Sequence, residues 1–283
     1  MKKGIKRRDA TISLALGGGG ARGFSHLGIL KVLEENKIRP SALAGTSFGS
    51  IIGGLFALSP SIKKVEEVSS EFLSSAAFNR IKGKYLKGMA REKKQAGVGM
   101  ISLSDRAFIN DAEYLGIMTS IAGNKTFEDL EIPFAATATD ILSGQGVILN
   151  SGALDIAFAA SCSIPGIFPP VLSDNKLLVD GGWSSKVPVE AASRFGADII
   201  IAVDTTEGID EESDLRSGLG ILLRSDMVTR HLLGTIQLKR ADIVIRPDLR
   251  GISWDSFHKA REAARAGEEA AKKMIKEIRT RIV

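Results

Sequence analysis

A chain of 283 residues with 44% hydrophobic and 25% charged residues has the composition of a globular protein. Its net charge of +5, with 2 Trp and 2 Tyr, disfavours a nucleic-acid-binding protein, which is expected to combine a basic surface with stacking aromatic residues. The single cysteine, Cys162, excludes an intrachain disulfide, and no apolar stretch approaches the roughly 18–20 residues that span a bilayer. We therefore expect a cytoplasmic protein whose contact with a membrane, if any, is peripheral.

Residues 1–11 form a basic N-terminal tail that, with the apolar run after it, superficially resembles a signal peptide. That run, Thr11–Leu16, is shorter than the usual apolar region of about 7–15 residues, and it leads into four glycines. We interpret it as the first core strand.

Apolar runs of strand length alternate with helical patterns along the chain. The predicted strands are Thr11–Leu16, Ser41–Ala44, Phe134–Asp140, Lys176–Val179, Asp198–Asp204 and Ala241–Arg246. The predicted helices between them are Arg22–Asn36, Phe48–Leu58, Ala153–Ala160 and Val189–Phe195. This alternation predicts an α/β fold with a mostly parallel central sheet and helices on both faces.

The first strand runs into a glycine-rich loop, Gly17–Gly23, which opens the first helix. Gly18, Gly20 and Gly23 fit the G-x-G-x-x-G pattern of dinucleotide-binding folds. That fold needs an acidic residue about 20 positions later, and its absence from the second strand disfavours a nucleotide site. The other use of such a loop is anion stabilisation, because backbone amides at a helix N-terminus point together at negative charge.

The second strand ends at the pentapeptide Gly-Thr-Ser-Phe-Gly, residues 45–49, and a buried helix follows. Ser47 would lie on a sharp strand-to-helix turn, where glycines two positions before and after it permit a strained backbone. The hydroxyl would then face the carboxyl edge of the sheet, where ligands bind in such folds, beside the glycine loop. The alternative is that Ser47 only caps the helix.

Residues 61–127 contain no clear strand and predict a helical insertion that caps the sheet. Within it, residues 80–94 carry seven basic residues and one acidic residue. One interpretation is a lid that touches anionic lipid head groups, with Tyr85, Leu86 and Met89 inserted shallowly. The alternative is a solvated polar helix face.

A serine nucleophile needs a base, and histidine is the usual one. The chain has three histidines, His26, His231 and His258. All fall in helical segments rather than at strand ends, so we expect structural or solvated side chains. Asp180 does end an apolar strand, and Gly181-Gly182 after it permit the close approach of another backbone. Its carboxylate would reach Ser47, although a tight Asp-Gly turn between strands is the simpler alternative.

The last third of the chain adds an acidic loop, residues 207–214, that leads into a helix. Residues 256–282 have helical apolar spacing, which favours a helix packed on the sheet over a membrane-binding one. We expect a single domain over residues 12–275, with the insertion inside it.

Four separated motifs occur in the order that is typical of one family. They are Gly18–Gly23, residues 45–49, Ala160–Pro170 (Ala-Ser-Cys-Ser-Ile-Pro-Gly-Ile-Phe-Pro-Pro) and Asp180–Gly182, with Pro188-Val189 and Ile245–Pro247 similar to later positions. Over about residues 12–275 the chain resembles the patatin-like phospholipase family, particularly its bacterial members. The resemblance implies a three-layer α/β/α patatin-like fold, a lipid or other ester as substrate, and no metal or other cofactor.

The resemblance further implies a serine acyl-hydrolase of the phospholipase A or lipid-esterase type that takes part in lipid breakdown. Ser47 would be the nucleophile and Asp180 the proton acceptor, a dyad that needs no histidine. The oxyanion hole would use the backbone amides of Gly18, Gly19 and Gly20. Arg22 would brace this loop or add positive field.

The sequence departs from its relatives after the Asp-Gly-Gly motif, where they often carry Asn near Ser185 and Lys186. Cys162 and Ser163 occupy small-residue positions, and we expect Cys162 to be buried packing. These changes concern substrate preference rather than the dyad. A different class also remains open, namely a regulatory or scaffold protein with an idle hydrolase site.

Overall fold

The computed structural model describes residues 10–96, 105–206, 215 and 217–282, and within them it contains eight β-strands and nine α-helices. The strands are β1 (Ile12–Leu16), β2 (Ala42–Thr46), β3 (Phe134–Asp140), β4 (Gln145–Leu149), β5 (Val171–Ser173), β6 (Lys176–Asp180), β7 (Ile199–Val203) and β8 (Ile243–Ile245). The helices are α1 (Ser25–Glu35), α2 (Phe48–Leu58), α3 (Ile62–Ser74), α4 (Ala76–Ala96), α5 (Asp111–Ala122), α6 (Leu154–Cys162), α7 (Val189–Ser193), α8 (Gly218–Leu238) and α9 (Ala260–Ile282).

All eight strands belong to one sheet, in the order β5-β6-β3-β2-β1-β7-β8, with β4 paired to β3 beside this path. Strands β3, β2, β1, β7 and β8 run parallel to one another, whereas β4, β5 and β6 join by antiparallel pairing. The expected α/β architecture with a mostly parallel sheet is therefore confirmed.

The centre of the sheet is buried on both faces. Every residue of β1, β2 and β3 is buried, because helices cover both sides of the parallel strands. β4 and β5 were not predicted from the sequence. β4 is exposed to half-buried along its length and β5 has three residues, so neither forms an apolar run of strand length.

The C-terminal helix α9 packs closely against α1. A Cβ atom at Gly28 would lie 1.9 Å from the carbonyl oxygen of Ala264, and one at Gly267 would lie 1.9 Å from that of Ser25. The two glycines therefore let the helix backbones touch. The segment is a docked helix as expected, although α1 rather than the sheet is its main neighbour.

The described part of the insertion is helical and consists of α3, α4 and α5. Tyr85, which the lid interpretation inserts into a lipid surface, instead packs inward against the rings of Phe108 and Trp254, with centroids 5.9 Å away in each case. Lys84 forms a salt bridge with Glu113. The lid itself stays a prediction.

Among the helices that the structure describes, none is long and apolar enough to cross a membrane.

Candidate active site

Ser47 lies on a strained turn between β2 and α2, with φ 52° and ψ −129°. A Cβ atom at Gly45 would lie 2.4 Å from the carbonyl oxygen of Gly49, and one at Gly49 would lie 2.4 Å from that of Leu16. Both glycines are thus required by backbone contacts. Although Ser47 precedes the helix, its hydroxyl forms no capping hydrogen bond, which disfavours the simple capping interpretation.

The stretch after Ala160 supports both halves of the expected dyad. The amide of Ser47 donates a hydrogen bond to Oγ of Ser161 at 2.8 Å. The amide of Asp180 donates to the carbonyl oxygen of Ser163 at 2.9 Å. These two roles were not predicted from the sequence. The one sequence feature that could have indicated them is the presence of small polar residues at the end of an apolar helix.

Asp180 comes close to Ser47 because their strands, β6 and β2, pair with successive residues of β3. Asp180 pairs with Ala138 of β3, and Thr46 pairs with the neighbouring Thr137. A Cβ atom at Gly181 would lie 2.4 Å from the carbonyl oxygen of Thr137, so the glycine after Asp180 permits the backbone approach that the sequence predicted.

The Asp180 carboxylate is buried, and burial raises its pKa above the ordinary value. Hydrogen bonding from the Ser47 side chain and from the Gly182 amide opposes this shift, as do the charges of Lys186 and Arg230. The Gly182 amide lies 2.7 Å from Oδ1 of Asp180. The carboxylate is therefore a stronger base than a solvated aspartate while it remains hydrogen-bonded in its charged form.

The glycine loop approaches Ser47 from β1. A Cβ atom at Gly18 would lie 3.1 Å from Cβ of Ser47. The amide of Gly18 donates to the carbonyl oxygen of Lys186 at 3.1 Å and is occupied in this conformation, contrary to the expectation of a free donor. The carbonyl oxygen of Gly18 accepts from Oγ1 of Thr205 at 3.2 Å.

Arg22 is buried and ties the glycine loop to two other loops. Its Nε donates to the carbonyl oxygen of Thr205 at 2.9 Å, and its Nη2 donates to that of Thr206 at 2.7 Å. Nη1 is 3.4 Å from the carbonyl oxygen of Ile252. Arg22 was expected either to brace the glycine loop or to add positive field, and these contacts favour the bracing role.

His26 is fully buried, and its Nε2 donates to the carbonyl oxygen of Gly17 at 2.9 Å. Burial lowers its pKa to about 4, so the imidazole is neutral near pH 7. The hydrogen bond from His26 holds the carbonyl group of Gly17 at the start of the glycine loop. His231 lies on α8, and His258 lies on the short 3-10 turn before α9.

Cys162 is buried, as expected, and its thiol lies among Ser47, Ser50 and Asp180. Burial raises the pKa of this thiol well above its usual range, so it stays protonated and is a poor nucleophile. Across the described residues, no group of three or more His, Cys, Asp or Glu side chains could hold a metal ion.

A family model for patatin-like phospholipase matches residues 14–193. The uncharacterized NTE family protein Rv1063c of Mycobacterium tuberculosis (strain ATCC 25618 / H37Rv) is 31% identical over 194 residues, which cover 68% of this chain and 48% of that protein. The patatin-like phospholipase domain-containing protein 6 of Homo sapiens is 31% identical over 207 residues, covering 72% of this chain and 14% of the human protein.

The crystal structure of VipD from Legionella pneumophila superposes with a TM-score of 0.53 at 13% sequence identity, covering 95% of this chain and 67% of VipD. This similarity concerns the fold. The chain spans about half the length of the mycobacterial relative and a much smaller part of the human one. The matched model covers most of the chain, including the pentapeptide, the glycine loop and the Asp-Gly-Gly turn. The chain belongs to the patatin-like phospholipase family.

Proposed function

We propose that this chain is a serine acyl-hydrolase of the phospholipase A or lipid-esterase type that acts in lipid breakdown. Ser47 is the nucleophile and Asp180 is the proton acceptor. The observation that carries the proposal is the Ser47 hydroxyl, which leaves its helix uncapped and lies close enough to the buried Asp180 carboxylate to lower its pKa. Family membership supports the same class of reaction.

In the first step, Asp180 accepts the hydroxyl proton while Oγ of Ser47 attacks the ester carbonyl carbon. The carbonyl π bond breaks, and its electron pair forms the oxyanion of a tetrahedral intermediate. The raised pKa of Asp180 favours this proton transfer, because an ordinary carboxylate is a weak base for a hydroxyl.

We place the oxyanion donors at the amides of Gly19 and Gly20, because the Gly18 amide is already bonded to Lys186. A trans peptide is planar, with its N–H opposite its C=O. The carbonyl of Gly18 points to Thr205, which follows β7, so the Gly19 amide points to the opposite side of β1, where β2 and Ser47 lie. Losing one such donor typically costs about 10²–10³ in kcat.

The remaining steps return the enzyme to its starting state. The intermediate collapses, and the leaving alcohol takes the proton held by Asp180, which gives an acyl-Ser47 ester. Asp180 then accepts a proton from water, whose oxygen attacks the acyl carbon. Collapse of this second intermediate releases the carboxylic acid and returns the proton to Ser47. The N-terminus of α2 directs its positive end at both intermediates.

The test uses a fluorophosphonate probe and a soluble short-chain ester with wild type, Ser47→Ala and Asp180→Asn. Ser74→Ala and Asp174→Asn are matched controls at exposed positions. We expect labelling of wild type and of both controls, no labelling of Ser47→Ala, and hydrolysis reduced at least about 10²-fold in both dyad variants.

Hydrolysis that survives Ser47→Ala would exclude this serine as the nucleophile. Absence of both labelling and hydrolysis in the folded wild type would instead favour the regulatory or scaffold class.

A further inference from the structure

Lys186 lies where the glycine loop, the Asp180 turn and α8 meet. Its carbonyl oxygen accepts the Gly18 hydrogen bond that fixes the loop beside Ser47. Its side chain runs between two glycines: a Cβ atom at Gly182 would lie 3.9 Å from its Cδ, and one at Gly234 would lie 3.5 Å from its Cγ. Its Cδ thus lies beside the turn that follows Asp180, and the charges of Lys186 and Asp180 act on each other.

Two of the charged groups around Lys186, Asp204 and Arg230, already form ion pairs with other residues. Arg230 and Asp226 form a salt bridge with 2.7 Å between Nη2 and Oδ2, and Arg246 binds Asp204 with 3.1 Å between Nε and Oδ2. Within the described part of the chain, Nζ of Lys186 forms no hydrogen bond and no salt bridge. A half-buried cation that lacks a direct ion pair is poorly stabilised, and an anionic ligand would relieve it.

Four charged groups act on Lys186 from the elements packed around it. Asp180 and Asp204 stabilise its charged form, and Arg230 and Arg22 destabilise it. Desolvation by burial is the largest influence, and it lowers the pKa of Lys186 to about 8. The side chain therefore carries its charge near pH 7 and loses it within an accessible alkaline range.

We propose that Lys186 is a specificity-determining residue that binds the anionic phosphate of a phospholipid-type substrate while its ester lies at Ser47. This inference rests on the proposed hydrolase function and adds a preference for phosphate-bearing esters. The competing role for the same cation is to keep Asp180 ionised. The two roles differ in one respect: only phosphate binding depends on the charge of the substrate.

The experiment compares two soluble substrates that share their acyl chains: neutral dihexanoylglycerol and anionic dihexanoylphosphatidylmethanol. The variants are Lys186→Met and Lys186→Arg, with Lys239→Met at the exposed end of α8 as control. We expect wild type to prefer the phosphodiester by at least about tenfold in kcat/KM, mainly through KM, since charge-assisted hydrogen bonds are the strong ones. Lys186→Met should abolish this preference, Lys186→Arg should restore most of it, and Lys239→Met should behave as wild type.

The pH dependence gives a second readout. The phosphodiester keeps its single charge throughout, so a wild-type preference that declines as pH rises through about 8 reports the ammonium losing its proton. Lys186→Arg should keep its preference, because a guanidinium does not titrate in this range. If Lys186→Met lowers kcat/KM equally for both substrates, Lys186 acts by keeping Asp180 ionised, and the proposal is overturned.

A binding measurement separates this inference from the hydrolase proposal. In the Ser47→Ala background no turnover is needed, and Lys186→Met should weaken binding of the phosphodiester at least about tenfold. Unchanged binding would overturn the inference even if the esters are hydrolysed. Inorganic phosphate is titrated in parallel, and binding as tight as that of the phosphodiester would identify a free-phosphate site and overturn the substrate role.

Discussion

Ser47 and Asp180 lie at the same edge of the sheet, but a different interaction dominates at each turn. The Ser47 turn is fixed by backbone contacts, since Gly45 and Gly49 leave no room for a Cβ atom and the glycine loop packs directly on it. The Asp180 turn has a similar backbone contact at Gly181, but its carboxylate is held by the Gly182 amide and its ionisation is set by burial and nearby charges. The position of the nucleophile is therefore set mainly by backbone steric contacts, and the pKa of the base is set by its electrostatic surroundings.

This difference has a consequence for mutations. A change that adds volume near Ser47 should damage the fold and the activity together. A change that removes charge at Asp180 without changing its shape should damage activity alone. The following predictions test that separation, from the largest expected effect to the smallest.

Gly49→Ala should have the largest effect, because its Cβ would meet the carbonyl oxygens of Leu16 and Gly17 at 2.4 and 2.8 Å. Backbone atoms cannot move aside as side chains do, so we expect a loss of about 3 kcal/mol or more in unfolding free energy. Hydrolysis should fall with it. Denaturant unfolding and ester hydrolysis measure both.

The matched control is Gly116→Ala on α5, where a Cβ atom would meet nothing within 4 Å. This change should stabilise the protein by about 0.5–1 kcal/mol, since alanine is the better helix former. A Gly49→Ala variant as stable and active as wild type would show that shape does not position the nucleophile.

Asp180→Asn should lower kcat/KM by about 10²–10⁴ while the melting temperature stays at or above that of wild type. Asparagine keeps an oxygen that accepts the Gly182 amide and removes a buried charge. Because burial raises the Asp180 pKa above its unfolded value, ionisation of this group disfavours the folded state at neutral pH. The wild-type rate should fall as pH drops through this raised pKa, since a protonated carboxyl cannot accept a proton. A large drop in melting temperature would instead assign Asp180 a structural role.

His26→Gln tests the support beneath the glycine loop. The pKa of His26 is about 4 when folded and about 6.5 when unfolded, so the unfolded chain binds a proton first as pH falls. Wild-type stability should therefore decline between pH 6.5 and 4, by up to about 3 kcal/mol from this residue. Glutamine donates to the Gly17 carbonyl without titrating, so the variant should lack this part of the decline.

Urea unfolding at pH 7 and pH 4.5 measures this difference, and His258→Gln at an exposed position is the control. Parallel pH curves for wild type and His26→Gln would show that the buried imidazole does not control acid stability.

The parts of the fold that sequence predicted well have strong local patterns. α2 begins and ends where its apolar run predicted, and β3 likewise, because buried elements require continuous apolar residues. The pentapeptide turn was predictable for a different reason: only glycine tolerates the backbone contacts at residues 45 and 49, and the two glycines mark the turn in the sequence. The half-exposed β4 and the three-residue β5 have no such pattern.

The details of the candidate site that were missed depend on contacts between distant segments. Local sequence does not show that the Gly18 amide bonds to Lys186, or that Oγ of Ser161 accepts the Ser47 amide. Tyr85 was expected at a surface and packs against Trp254, a partner far along the chain. Motifs identify the reacting groups, whereas tertiary packing decides which polar atoms remain available to a substrate.

The pairing of β3 with both β2 and β6 also bears on how the protein refolds. Ser47 and Asp180 cannot meet until β3 is seated, and β1 beside them is held by β7, whose contacts span 187 residues along the chain. Pairing strands so far apart in sequence is slow, because the loop must close before its contacts form. Recovery of hydrolysis after dilution from denaturant should consequently lag behind recovery of helical circular dichroism, which makes catalysis a reporter of the last strand to dock.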